Sequence, residues 1–207
     1  MRYGPGKMTD WHSDWQNPTH ALLFDWFRFS NRNLIRNYEC LNDVRLLNER
    51  YKGSEKKKLV EVGCGTGDFY RYLRHRFPRM EYAGLDISQA AIHRAKEKYP
   101  QARFWVTRPD RTLGETLRLA EVPGKADVIY SKDVVHHQPA PFEFLRELLL
   151  CASQALIVRL RTRNVGPTEL DPERSCQYHY AGWMPYIVMN LNEVIGVIQD
   201  TVRDSEI

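Results

Sequence analysis

Short apolar runs alternate with helix-spaced apolar positions along most of the chain. Five such runs predict buried strands, at residues 59–62, 82–85, 102–106, 127–131 and 155–160. Apolar residues three or four apart predict helices after the first four strands, at 68–76, 89–99, 112–119 and 142–152. Strands that alternate with helices indicate an α/β fold, with a doubly wound, mostly parallel sheet that carries helices on both faces.

The two ends of the chain differ from this central part. Helical spacing between residues 19 and 51 predicts two helices, interrupted near 30–32, and we assign residues 1–54 to an N-terminal arm and helical cap. Residues 55–207 then form the main domain. After the fifth strand, residues 161–182 are rich in proline, arginine and aromatic residues. A sixth strand at 183–189 and a helix at 191–202 are predicted to follow.

The first predicted strand ends in a glycine-rich turn. Gly63, Gly65 and Gly67 occupy alternate positions, and a helical pattern starts directly after them. Glycine is needed where a turn requires unusual backbone angles and where a Cβ would hold a ligand away from the main chain. The arrangement predicts a nucleotide-like ligand at the C-terminal end of the first strand.

Carboxylates distinguish this turn from a dinucleotide-binding turn. Asp68 stands where a dinucleotide fingerprint has its third glycine, and Glu61 lies in the strand just before the turn. Two carboxylates would repel a pyrophosphate, and they suit a ligand that carries an ammonium or a sulfonium group. Asp86, at the tip of the second predicted strand, is placed to accept hydrogen bonds from both hydroxyls of a ribose.

Three segments of the chain resemble one family. The sequences VEVGCGTGDF, YAGLDIS and ADVIYSKDVVHHQPAPFEFLRELLL are similar to successive motifs of the class I S-adenosylmethionine-dependent methyltransferases, in the subgroup that acts on small molecules. The resemblance covers roughly residues 58–161 and implies a Rossmann-like fold, S-adenosylmethionine as the cofactor and S-adenosylhomocysteine as the product. The cofactor-binding residues that it implies are Glu61, Gly63, Cys64, Gly65, Gly67, Asp86, Ile87, Asp110, Ser131 and Lys132.

The chain departs from the family pattern in two places. Members usually carry an acidic residue two positions after the third strand, near the adenine amino group, and this chain has Arg108 there. We expect Asp110 to take that role from a shifted loop. A β-hairpin normally completes the family's sheet, and the residues after the fifth strand are too few to build it in full. We therefore expect an incomplete hairpin, which indicates either a reduced sheet edge or a longer parent protein.

Residues 1–20 are aromatic and polar, and they include Trp11, His12, Trp15 and His20. Such a segment does not form a core element by itself. Two interpretations are open. The segment lies across the cofactor mouth as a lid, as N-terminal segments do in the resembled family, or it packs as an arm on the domain surface.

Two adjacent histidines follow the fourth predicted strand, at the sheet end that carries the glycine turn. His136 and His137 resemble the histidine pair that often follows this strand in the family. A neutral imidazole is a competent general base near neutral pH, and a base is needed if the methyl acceptor is an undissociated hydroxyl. Both are candidate catalytic bases, with His136 preferred. The alternative is that they only cap the next helix or pack under the loop.

Arginines mark the end of the fifth predicted strand. Arg159, Arg161 and Arg163 alternate on one side of it, where unpaired charges would be costly. A solvated strand end, or pairing with Glu169 or Asp171, is one explanation. The other is an anion site, in which Arg161 or Arg163 binds a carboxylate or phosphate of the methyl acceptor. The wall of that acceptor pocket would be formed by Tyr178, His179, Tyr180 and Trp183. Such aromatic residues otherwise serve only in packing.

Composition narrows the range of partners. The net charge of +4 on 207 residues is modest, and the basic run at 56–58 fits a solvated loop, so nucleic acid is not the expected partner. The four cysteines form no Cys-x-x-Cys pair, so neither a zinc site nor a disulfide framework is indicated. No apolar run reaches 18 residues, and nothing at the start resembles a signal peptide. We expect a cytoplasmic protein without a membrane span.

The leading function is methyl transfer to oxygen or nitrogen of a small molecule, such as an anionic sugar or a secondary metabolite. An RNA or protein methyltransferase is an alternative, although the chain has neither an Asn/Asp-Pro-Pro-Tyr tetrapeptide nor a Pro-Cys pair. A non-catalytic methyltransferase-like binding module is a third possibility. Arg108 and the short C-terminal part favour that third interpretation.

Overall fold

Five parallel strands form the central sheet. They are β1 (Lys58–Val62), β2 (Glu81–Asp86), β3 (Arg103–Val106), β4 (Ala126–Lys132) and β5 (Ala152–Arg159). Their order across the sheet is β3-β2-β1-β4-β5, so the winding reverses between β1 and β4. The structure is a computed structural model and describes residues 11–29, 34–53, 56–120, 125–179 and 182–205. The doubly wound, parallel α/β fold predicted from the sequence is confirmed.

Helices connect and cover the strands. In the described part of the chain they are α1 (Trp11–Gln16), α2 (Pro18–Phe29), α3 (Leu34–Glu39), α4 (Asn42–Tyr51), α5 (Asp68–Arg76), α6 (Gln89–Lys98), α7 (Leu113–Leu119), α8 (Pro141–Cys151) and α9 (Leu191–Ser205). One 3-10 turn, Val135–His137, follows β4, and we call it the histidine turn. Residues 63–67, between β1 and α5, are called the glycine turn. None of the described helices is long and apolar enough to span a membrane.

One face of the sheet is covered by an aromatic cluster from α3, α4, α5 and α6. The ring of Phe69 stacks on that of Tyr130, with 4.3 Å between the centroids. The hydroxyl of Tyr130 donates a hydrogen bond of 2.6 Å to the buried carboxylate of Asp43, which ties α4 to β4. A buried polar pair of this kind fixes the docking of the helix, because neither group can leave its partner without losing a hydrogen bond.

The opposite face is covered by an aliphatic cluster. Its helical members come from α7, α8 and α9, and they include Leu117, Leu145, Leu148 and Val194. Strand residues that are buried on both faces explain why the apolar runs of the sequence are continuous rather than alternating. The histidine turn and the glycine turn emerge between these two layers, at the C-terminal edge of the sheet.

Helix starts follow local signals in the sequence. The Ser88 hydroxyl accepts a hydrogen bond from the backbone N–H of Ala91 and caps the start of α6. Thr112 and Glu115 form a capping box at the start of α7. Each of these interactions lies within one turn of helix.

The predicted sixth strand at 183–189 is wrong. This segment contains two short strands with different partners. The strand β8 (Gly182–Pro185) pairs antiparallel with β7 (Cys176–His179), and β9 (Met189–Asn190) pairs parallel with β6 (Thr162–Arg163). Between them, the backbone N–H groups of residues 186 and 187 donate to carbonyls of Ser175 and His136. These backbone N–H groups therefore bond to carbonyls outside the sheets and do not pair along one continuous strand.

The N-terminal part contains more helices than predicted. The described residues between 19 and 51 form three helices, α2, α3 and α4, where two were expected. The predicted interruption near 30–32 falls between α2 and α3, on residues outside the described part. Helix α1 packs against β8, and α2 packs against α6. The helical cap therefore contacts the C-terminal half of the chain as well as the sheet.

Candidate functional site

The glycine turn is fixed to the end of β2. The backbone N–H groups of Gly63 and Cys64 both donate to the carbonyl of Leu85, over 2.7 and 3.0 Å. Gly63 and Gly65 have φ angles of 83° and 53°, in the left-handed region that favours glycine. A Cβ at Gly65 would project into open space on the cavity wall. A ligand could therefore lie directly against the backbone at this residue.

Asp86 lies one hydrogen bond away from the glycine turn. Its Oδ2 accepts from the backbone N–H of Gly65 over 2.7 Å, and its Oδ1 accepts from the N–H of Ser88 over 2.8 Å. A carboxylate has about four acceptor sites, so it can also accept from a bound ligand. Asp86 and its neighbour Ile87 both line the cavity. The two features predicted to bind the donor molecule are thus adjacent.

Of the two carboxylates around the turn, only Glu61 faces the cavity. Glu61 is buried, lines the cavity and accepts a hydrogen bond from the hydroxyl of Tyr82. Asp68 is buried at the start of α5, where Lys98 donates to it over 2.9 Å. The expectation that both carboxylates serve a cationic ligand is therefore wrong for Asp68. Neither Tyr82 nor Lys98 was predicted as a partner, because nothing in the local sequence links them to the turn.

Cys64 completes the turn as an inert residue. Burial raises the pKa of its thiol well above the ordinary value, and the charges of Asp86 and Glu61 raise it further. The thiol therefore stays protonated near neutral pH and has little nucleophilic character. Its place on the cavity wall is that of a small apolar side chain.

A cavity of about 750 Å³ joins the glycine turn to the histidine turn. Its volume lies in the range of small-molecule sites. Glu61, Gly65 and Asp86 line it at the ends of β1 and β2, and His137 and Arg161 line it after β4 and β5. The predicted donor site and the predicted acceptor site therefore share one continuous space.

The histidine turn fixes the orientation of one imidazole. His137 Nδ1 lies 2.8 Å from the backbone carbonyl of Pro185. A carbonyl only accepts, so Nδ1 carries the hydrogen, and in the neutral ring Nε2 keeps its lone pair. His136 is only 2% exposed, and its buried Nδ1 has no hydrogen-bond partner among the described residues. Both histidines line the cavity.

Burial makes both imidazoles weak bases. Burial, together with a smaller effect of the neighbouring His137, lowers the pKa of His136 to about 4, although the charge of Asp133 opposes the shift. Burial also lowers the pKa of His137, although its hydrogen bond to Pro185 and the charge of Asp133 act in the other direction. Both rings are therefore neutral near pH 7.

A pH-dependent stability follows from His136. Its folded pKa lies below its ordinary value of 6.5, so the unfolded chain binds more protons between these two values. The stabilisation that depends on a neutral His136 is complete above the pKa of the unfolded chain, and it is lost as the pH falls toward the pKa of the folded protein. We expect unfolding free energy to fall by about 2 kcal/mol more in wild type than in His136→Asn between about pH 7.5 and about pH 5. Urea unfolding at both pH values measures this difference, and equal losses in the two proteins would contradict it.

The three arginines at and after the end of β5 have three different environments. Arg159 forms a two-pronged ion pair with Asp133, so the expected pairing with Glu169 or Asp171 is wrong for it. Arg161 lines the cavity. Arg163 is exposed and donates to the carbonyl of Pro167. Among these three, only Arg161 is placed to contact an acceptor molecule.

The predicted aromatic wall is only partly at the cavity. Tyr178 is 61% exposed, its ring packs against that of Trp183, and neither residue lines the cavity. His179, which was predicted, does line it, and so does Gln177, which was not; these two residues flank Tyr178 on β7. Successive side chains of a strand point to opposite faces, which explains this arrangement. Tyr180 lies outside the described residues.

The remaining predicted cofactor residues divide into two groups. Lys132 lines the cavity, with its Nζ 5.5 Å from the ring centroid of Tyr38. Gly67 caps α5, and the Ser131 hydroxyl donates to the carbonyl of Val62, so both support the turn from outside the cavity. Asp110 forms an exposed ion pair with Arg108 and does not line the cavity. Asp110 therefore does not face the space in which a cofactor would bind.

Helices α1 and α2 form part of the cavity wall. The ring of Trp15 lies 5.5 Å from that of His137 and 6.2 Å from that of His179. Gln16 donates to the carbonyl of Ile87 and accepts from the backbone N–H of Gln89. Of the two interpretations of the N-terminal segment, this placement favours a cover over the cavity. The first ten residues of the segment lie outside the described part.

The chain is similar in sequence to known methyltransferases. A family described as "Methyltransferase domain" matches residues 60–154. Trans-aconitate 2-methyltransferase of Variovorax paradoxus (strain S110) is 36% identical over 150 residues, which cover 70% of this chain and 54% of that relative. The chain thus spans about half the length of this relative, and less of several others.

Two solved structures share the fold. A TehB-like SAM-dependent methyltransferase from Corynebacterium glutamicum superposes with a TM-score of 0.55 at 17% identity, over 89% of this chain and 84% of that one. DesVI of Streptomyces venezuelae gives 0.61 at 14% identity, over 88% and 89% of the two chains. The family match and the relative from Variovorax paradoxus agree with the parallel sheet and with the glycine turn beside Asp86. The chain therefore belongs to the class I S-adenosylmethionine-dependent methyltransferases.

Proposed function

We propose that the chain binds S-adenosylmethionine along the glycine turn and transfers its methyl group to a carboxylate oxygen of a small organic acid. The donor end of the cavity fits this cofactor. Asp86 would hold the ribose hydroxyls, Glu61 the ammonium group and Lys132 the carboxylate of the methionine part. The open space against Gly65 lets the cofactor approach the backbone. When bound, the cofactor supplies an already activated methyl group.

The acceptor end favours an anion. Arg161 lies on the cavity wall, and a guanidinium binds a carboxylate through two parallel hydrogen bonds. The relative from Variovorax paradoxus is named for trans-aconitate, a small unsaturated acid. Gln177 and His179, on the same wall, offer further polar groups to such an acid. These features together support a small carboxylic acid as the acceptor.

The lowered pKa values of the two histidines fit this acceptor. A carboxylate is ionised near neutral pH and needs no base before it attacks, unlike a hydroxyl. His136 and His137 would then act as neutral walls that orient the acceptor and exclude water, while Arg161 holds the acid in line with the methyl group. Trp15 would close the cavity from the helical cap.

The observation that carries the proposal is the single cavity that joins Asp86 to Arg161. It is tested by incubating the protein with S-adenosylmethionine labelled in the methyl group and with trans-aconitate as the first of a panel of di- and tricarboxylic acids. We expect a labelled product that releases methanol in mild alkali, as a methyl ester does. No product from any acid of the panel, or a product that is stable to alkali, would contradict ester formation.

Arg161→Met should raise the KM for the acid by about tenfold or more, since hydrogen bonds to a charged group are lost. The affinity for S-adenosylhomocysteine should stay within about twofold of wild type, because Arg161 follows β5 and Asp86 ends β2, with β1 and β4 between these strands. Arg163→Met is the matched control and should leave both values unchanged. Steady-state kinetics and calorimetry measure the two effects, and an unchanged KM in Arg161→Met would exclude the anion site.

A further inference from the structure

The backbone at Asp133 adopts a left-handed conformation. Its φ angle is 58°, and it is the only residue other than glycine with a positive φ in the described part of the chain. Most side chains with a Cβ disfavour this region, although aspartate enters it more readily than most, and non-glycine residues held there cluster at functional sites. Asp133 follows β4 directly and lies on the cavity wall, two residues before the start of the histidine turn.

Arg159 holds this conformation in place. Its Nε donates to Asp133 Oδ1 over 3.0 Å, and its Nη2 donates to Oδ2 of the same carboxylate. The backbone N–H of Asp133 in turn donates to the carbonyl of Arg159 over 2.9 Å. Three hydrogen bonds thus join the ends of β4 and β5. Burial raises the pKa of Asp133, yet the bonds and charge of Arg159 outweigh this effect, so its pKa lies below the ordinary value.

The left-handed residue sets the position of Val134. One γ-methyl carbon of Val134 lies 2.1 Å from the place where a Cβ of Gly63 would be. The valine therefore packs directly against the backbone of the glycine turn. Because Val134 is also the cap of the histidine turn, this contact fixes the distance between the two turns.

We propose that Asp133 and Arg159 are positioning residues, whose ion pair holds the histidine turn against the glycine turn and so sets the separation of methyl donor and acceptor. The role of this ion pair in catalysis rests on the proposed function. The placement itself depends only on the strained backbone, the ion pair and the contact between Val134 and Gly63.

An ordinary stabilising ion pair is the competing explanation. Arg203 and Asp200 form such a pair on the exposed surface of α9, with 2.7 Å between the charged atoms. Exposed pairs contribute little and fix no backbone geometry. If the pair of Asp133 and Arg159 were of the same kind, its removal would lower stability at most and would leave the two turns in contact.

The contact can be observed without any acceptor. In wild-type protein we expect a strong nuclear Overhauser effect between a γ-methyl group of Val134 and an α-proton of Gly63. In Arg159→Met this signal should be lost, whereas Arg159→Lys should retain part of it because a lysine can still pair with Asp133. Asp200→Asn is the matched control and should show the wild-type signal. A lowered melting temperature with an intact signal in Arg159→Met would overturn the inference.

A second measurement uses the imidazole of His137. The titratable and charged groups around this ring are Asp133, Arg161, His136, His179 and Tyr186. In Asp133→Asn the negative charge is lost and Arg161 remains, so the pKa of His137 should fall by about half a unit or more. Titration by nuclear magnetic resonance measures it, and an unchanged pKa would show that Asp133 does not face this ring.

Binding of S-adenosylhomocysteine to the wild-type protein separates the two proposals. Absence of binding in calorimetry would overturn the proposed function and would leave the contact between the turns to be judged by the signal from Val134. Binding together with an intact signal in both Arg159 variants would overturn the positioning role alone.

Discussion

Asp86→Ala is expected to weaken the binding of S-adenosylhomocysteine by about 10- to 150-fold, the equivalent of about 1.5–3 kcal/mol. The substitution removes the acceptor for the ribose hydroxyls. It also leaves the backbone N–H groups of Gly65 and Ser88 without the carboxylate that now accepts from them. The glycine turn then loses the hydrogen bond that fixes its middle residue, Gly65. The substitution therefore affects both the ribose site and the glycine turn. Isothermal titration calorimetry measures the change directly.

Asp110→Ala is the matched control for this prediction. Asp110 is an acidic residue of the same edge of the sheet, but it does not line the cavity; its ion-pair partner Arg108 does. Its removal should leave the affinity within about twofold, since sites without a shared partner contribute independently. Equal losses in both variants, or no loss in Asp86→Ala, would show that the ribose does not lie at Asp86. Circular dichroism of the variants excludes a general loss of fold.

The sheet and the donor site could be predicted because their signals are local. Apolar runs specify the five strands, and a glycine turn between a strand and a helix specifies where a ligand meets the backbone. The position of Asp86 follows from the parallel sheet, since the C-terminal ends of neighbouring strands lie at one edge. The structure places Gly65 and Asp86 in direct hydrogen-bond contact.

The acceptor end could not be predicted to the same depth, because it depends on pairing between distant segments. Alternation along β7 places Gln177 and His179 at the cavity and turns Tyr178 away from it. Which of the two faces is buried is decided by the pairing with β8 and by α1, and no periodicity in this short segment specifies that choice. The partners of Asp68 and Arg159 were missed for the same reason, as both pairs join separate elements.

The backbone conformation of Asp133 is set by distant contacts and not by its neighbours in the sequence. Its neighbours in sequence are those of a strand end, and nothing in them predicts a left-handed residue. The conformation is imposed by Arg159 from the next strand and by the contact of Val134 with the glycine turn. Positions at which the fold overrides a local preference are expected at functional sites.

Gly63→Ala should both destabilise the protein and abolish measurable cofactor binding. At a φ of 83° an alanine is strained, which costs about 1–2 kcal/mol, and its Cβ would lie 2.1 Å from a methyl carbon of Val134. Overpacking of this kind costs about 1–3 kcal/mol more. Because Val134 leads into the histidine turn, relief of the clash would displace one of the two turns that form the cavity. Urea unfolding and calorimetry measure the two effects.

The clash and the backbone strain can be separated by a second substitution. Val134→Ala removes both γ-methyl groups, so the double variant Gly63→Ala/Val134→Ala should be more stable than the sum of the single effects by at least about 1 kcal/mol. The strain of the left-handed alanine should remain. Gly196→Ala is the control, since Gly196 lies in helix α9 with nothing within 4 Å of an added Cβ, and it should stabilise by about 0.5–1 kcal/mol. Strictly additive effects at positions 63 and 134 would show that these residues are not in contact, and the spacing between the two turns would then need another cause.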